Sequence, residues 1–79
     1  MVALRQHTVL EVARGISLEK RARNLYRLTI DGEYAGKVIR EDGAWGWEYA
    51  PNCKARRITN DEAMSLLRFL GNLKPDAET

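Results

Sequence analysis

The chain has 79 residues, 44% of them hydrophobic and 30% charged. That supports one small domain with one modest core, and it argues against disorder except at the ends. A net charge of +2 is too weak to imply nucleic acid by itself, and the single cysteine, Cys53, excludes an intramolecular disulfide. No apolar run is long enough to span a membrane, and MVALRQHTVLEVARG lacks the basic flank and long apolar stretch of a signal peptide, so the expected location is cytoplasmic. The domain is expected to fill residues 1–79, with a core over about 8–73 and a flexible tail over 74–79.

In chain order, residues 3–14 (ALRQHTVLEVAR) admit a strand over about 8–13 or a helix ending at Gly15. The β-branched cluster Thr8, Val9 and Val12 favours the strand. Residues 15–24 (GISLEKRARN) read as a polar, solvated connection. Charge is concentrated here: residues 14–27 carry +4, and Lys54, Arg56 and Arg57 add +3.

Residues 26–49 hold five of the six aromatic side chains and two Asp-Gly pairs, Asp31-Gly32 and Asp42-Gly43. Alternating runs around Asp-Gly predict a meander of three strands. For the first turn, the preferred register makes Gly32 a third loop residue, with Leu28 opposite Tyr34 and Tyr26 opposite Gly36. A two-residue turn with Leu28 opposite Ala35 is the rival. The second turn sets Arg40 opposite Trp45, Val38 opposite Trp47 and Gly36 opposite Tyr49. One face then collects Tyr26, Leu28, Tyr34, Val38, Trp45, Trp47 and Tyr49. The other carries Arg27, Thr29, Ala35, Lys37, Ile39, Glu48 and Ala50.

Thr59-Asn60-Asp61-Glu62 has the pattern of a helix capping box. Ala63, Leu66, Leu67, Leu70 and Leu73 follow at helical spacing, flanked by Met64 and Phe69, with an end at Gly71-Asn72 or Lys74-Pro75. The expectation is an α+β fold: an antiparallel meander of three or four strands with one C-terminal amphipathic helix packed on one face.

Chemistry is sparse. His7, the only histidine, has no ligand set around it for zinc. Cys53 lies beside Lys54, Arg56 and Arg57, which favour a thiolate, but has no positioned base. Ser17 and Lys20 have the S-x-x-K spacing, which recurs by chance and here falls in a connection. Glycines 32, 36, 43 and 46 do not sit between a strand and a helix, so they form no phosphate loop. No catalytic residue, metal, cofactor or small-molecule substrate is expected. The tryptophans and tyrosines could stack on bases, but opposite a leucine-striped helix they read as core.

Residues 45–70, WGWEYAPNCKARRITNDEAMSLLRFL, resemble the last strand, basic turn and helix of two groups with a three-strand-plus-helix layout. These are the plant ethylene-response-factor DNA-binding domain and the arm-binding domain of some phage integrases. That resemblance implies a sheet face lying in the DNA major groove, with Arg27, Lys37, Arg40, Arg56 and Arg57 as the analogous contacts. Glu48 departs from the family's arginine-rich face. The double-stranded-RNA-binding domain has the same layout with a lysine-rich helix start, where this chain has Asp61 and Glu62. The compact basic chain also resembles accessory proteins of phages and mobile elements.

The leading expectation is thus a non-enzymatic binding module that takes a protein partner or self-associates, using a sheet edge or the flat outer face. The alternative is a nucleic-acid-binding module using Arg21, Arg23, Arg27, Lys37, Arg40, Lys54, Arg56 and Arg57.

Overall fold

The computed structural model describes residues 9–73, and the expectations for His7, for residues 3–8 and for the 74–79 tail lie outside them. The chain forms five antiparallel strands and one helix. The strands are β1 (Val9–Ala13), β2 (Ile16–Ala22), β3 (Leu25–Ile30), β4 (Glu33–Glu41) and β5 (Ala44–Tyr49), and the helix is α1 (Asn60–Asn72). Each strand pairs only with its sequence neighbours, in the order β1-β2-β3-β4-β5. The α+β class is as expected, with five strands in place of three or four.

The extra strand is the segment read as a solvated connection. Ile16 and Leu18 alternate with Ser17 and Glu19, and both are fully buried opposite Ile30 and Leu28. The basic run at its end obscured a period-two pattern only two apolar residues long. Its turns carry little signal either: Gly15 and Asn24 are the residues at positive φ, +82° and +58°. In the preceding segment Val9 and Val12 do lie in a strand, β1.

The first hairpin has the rival's two-residue turn, but beyond it follows neither expected register. Asp31 and Gly32 both have positive φ, +53° and +84°, as a two-residue type I′ turn demands. Ile30 therefore faces Glu33, and Thr29 faces Tyr34. The register then shifts at a bulge, and Leu28 faces Gly36 while Tyr26 faces Val38. The turn sets Tyr34 outward and Ala35 inward, and the bulge then absorbs Ala35 so that Gly36 and Val38, and not Lys37, face the core. Ala35 is buried, and Tyr34, expected in the core, is 47% exposed on the outer face. The second hairpin has all three expected pairs, through a turn with Asp42 at +53° and Gly43 at +81°.

The core is Ile16, Leu18, Tyr26, Leu28, Ile30, Ala35 and Val38 under Leu66 and Leu70, with Trp45, Trp47, Tyr49, Phe69 and Leu73 packed at its margin. The Tyr26 and Trp45 rings meet at 5.9 Å and 59°, a tilted aromatic pair. The capping box is formed: Thr59 Oγ1 accepts from the Glu62 N–H, and the Glu62 carboxylate accepts from the Thr59 N–H. Leu67, expected on the buried stripe, is 54% exposed beside Trp45; the helix instead buries Leu66 and Leu70, with Phe69 and Leu73 half-buried. No helix among the described residues is long and apolar enough to cross a membrane.

Candidate functional site

Arg56 is the most heavily bonded of the expected contact residues. Its guanidinium donates to Asp31 (Nε to Oδ2, 2.7 Å) and to Glu62 (Nη1 to Oε1, 2.9 Å; Nη2 to Oε2, 3.0 Å). It also donates to the Arg57 carbonyl at 3.1 Å. Asp31 in turn donates its N–H to the Gly15 carbonyl at 2.7 Å. The guanidinium so clasps the β1–β2 turn, the β3–β4 turn and the start of α1. The Arg56 hydrogen bonds, joined by the Thr59 N–H, hold the Glu62 carboxyl down at about 2, and the two carboxylates raise the arginine above its usual range. This arginine is engaged within the fold.

Arg57 lies over the Tyr49 ring, 4.0 Å from its centre, with Nη1 3.9 Å from the Cys53 sulfur. The Tyr49 hydroxyl accepts from the Ile58 N–H at 3.1 Å, which seats the loop after β5. Lys54 is exposed on that loop. Arg40 faces Trp45 on the helix side of the sheet and lines a hollow with Leu70, Gly71 and Leu73 at the C-terminal end of α1. It therefore does not share a surface with Arg27 and Lys37. Arg23 sits in the β2–β3 turn. Among the described residues, no three His, Cys, Asp or Glu side chains are placed to hold a metal.

On the outer face the register builds a crossways row, Glu19–Arg27–Lys37–Glu48. Lys37 and Glu48 pair at 3.6 Å, and both are well exposed, so the pair contributes about 0–1 kcal/mol. The Arg27 guanidinium lies 4.8 Å from the centre of the exposed Tyr34 ring. These side chains and Arg21 line an open concavity of about 400 Å³. The structure thus brings Arg21, Arg27 and Lys37 together, and sets an acidic residue at each end of the row. Sequence reasoning missed Tyr34 because the preferred three-residue turn puts it on the core face, whereas the two-residue turn pairs it with Thr29 on the outer face.

Beyond Lys37 the same face changes sign. Ile39, Ala44 and Gly46 floor a shallow concavity of about 300 Å³, edged by Glu41, Asp42 and Glu48. A Cβ built on Gly46 would meet nothing within 4 Å. This concavity lies against β5, the last strand of the sheet. The Ala50 N–H donates to the Ala35 carbonyl in the ladder to β4. By antiparallel alternation, the N–H and C=O groups of Trp45, Trp47 and Tyr49 point the other way, where no strand of the described residues pairs. The opposite edge, β1, is five residues long and broken by a bulge between Glu11 and Ala13. Edges are commonly blunted by such bulges, by prolines or by charged side chains; β5 has no bulge and no proline, and its single charge is Glu48.

No protein-family model, curated protein or solved structure matches the chain.

Proposed function

We propose that the protein is a non-enzymatic protein-binding module that takes an extended segment of its partner as a sixth strand along β5. The observation that supports this is the open edge: regular from Ala44 to Tyr49, carrying two half-buried tryptophans, without bulge or proline, and with Glu48 as its single charge. Strand addition supplies affinity through main-chain hydrogen bonds and selectivity through alternate side chains. The test is a displayed library of eight-residue peptides. Enriched binders should slow hydrogen exchange at the amides of Trp45, Trp47 and Tyr49. Binders that map elsewhere, or no enrichment, reject the reading.

A second reading rests on the other concavity, where Arg21, Arg27 and Lys37 surround the exposed Tyr34 ring. A single nucleic-acid strand could stack there and bridge its phosphates to the cations. It would bind with a steep loss of affinity in salt, and Tyr34→Ala with Arg27→Ala would abolish it. The acidic residues at both ends of the Glu19–Arg27–Lys37–Glu48 row favour the protein partner.

A further inference from the structure

We infer that the segment added at β5 alternates basic and apolar side chains, with lysine or arginine over the outer face and apolar residues over the tryptophans. This rests on the edge reading above and specifies the class of partner.

The argument is one of register. A strand laid antiparallel on β5 places the side chains opposite Ala44, Gly46 and Glu48 over the outer face, and those opposite Trp45 and Trp47 on the helix side. On the helix side they meet two half-buried indoles, with the exposed Leu67 beside Trp45. That surface selects apolar side chains. On the outer face they enter the concavity edged by Glu41, Asp42 and Glu48, where no basic side chain is among the lining residues.

Size completes the fit. Ala44 and Gly46 are the smallest side chains on the outer side of β5, so a long side chain from the added strand passes over them without obstruction. Glu41 stands across Ala44 on β4, about 10 Å from the added strand, two strand spacings away. A lysine or arginine spans that gap with its stem over the apolar floor and its head at the carboxylate. Glu48 meets the basic residue opposite it directly: its carboxylate pairs with Lys37 at 3.6 Å, yet its side chain is 68% exposed and has room for a second cation. The same charges oppose a second copy. Antiparallel pairing of β5 with itself around Gly46 sets Glu48 opposite Ala44 of the other copy, with that copy's Glu41 and Asp42 close by.

The test uses three synthetic octapeptides, alternating Lys-Val, Thr-Val and Glu-Val, and a Lys-Val peptide N-methylated at alternate residues. Binding is read by tryptophan fluorescence at low salt. The Lys-Val peptide should bind at least tenfold more tightly than Thr-Val, Glu-Val should not bind, and N-methylation should abolish binding. Glu41→Gln with Glu48→Gln, assayed at a concentration at which light scattering shows it monomeric, should bring the Lys-Val to Thr-Val ratio near one. Equal binding of all three unmethylated peptides overturns the charge selection and leaves the edge reading standing. Binding that survives N-methylation, or no binding by any peptide, overturns the edge reading itself.

Discussion

Arg56 and Glu62 hold the residues around them by charge-assisted bonds, and this gives the fold an acid-sensitive point. Glu62 has its folded value lowered to about 2 from an ordinary 4.5. A lowered carboxyl pKa stabilises the fold above the ordinary value, and that contribution is lost as pH falls from 4.5 toward 2. An NMR titration of the Glu62 carboxyl should find it well below the ordinary 4.5, and Arg56→Met should return it toward that value. Glycine matters most at position 36, where a Cβ would strike the Glu48 carbonyl and the Tyr49 Cα. Neither is the movable end of a side chain. Gly36→Ala should cost at least about 2 kcal/mol in denaturant unfolding. Gly46→Ala meets open space and should be close to neutral.

At the scale of elements, β2 separates what the sequence discloses from what it hides. The Asp-Gly turns, the capping box and the β4–β5 pairing are legible because each has a local chemical cause. Asp-Gly supplies positive φ, Thr59 and Glu62 satisfy each other's amides, and in the second hairpin the two-residue turn fixes the pairs beyond it. Ile16 and Leu18 are apolar for a tertiary reason, the facing Ile30 and Leu28, and the cations after them disguise it. Leu18→Ala should cost about 2–5 kcal/mol, as for a buried leucine, and a value near zero would return the segment to a solvated connection. The bulge at Ala35 was hidden for the same reason. Nothing local marks it, and it follows from fitting a two-residue turn to a strand whose later residues must face the core. The candidate site was legible in part. Arg27 and Lys37 were placed on one face correctly, while Arg40 and the clasped Arg56 became visible only with the pairing and the hydrogen bonds.

Taken whole, the molecule keeps its charge in balance by segregation. The outer face gathers cations at Arg21, Arg27 and Lys37 toward its middle and acids at Glu41, Asp42 and Glu48 toward β5, and the two groups meet at the Lys37–Glu48 pair. The acidic surface borders the exposed edge. Light scattering at neutral pH should give a monomer near 9.0 kDa, and Glu41→Gln with Glu48→Gln should promote concentration-dependent dimers. A dimer of the unaltered chain would show that the edges tolerate their shared charge.

The guanidinium clasp also makes the two ends of the sheet unequal. It ties the loops Arg14-Gly15 and Asp31-Gly32 to the first turn of α1, whereas the loops Arg23-Asn24 and Asp42-Gly43 lie at the far end. Thermal opening should therefore begin at the far end and spread toward the clasp, like a book opening away from its spine. A visiting strand would then find β5 loosest near Ala44 and engage it progressively toward Tyr49.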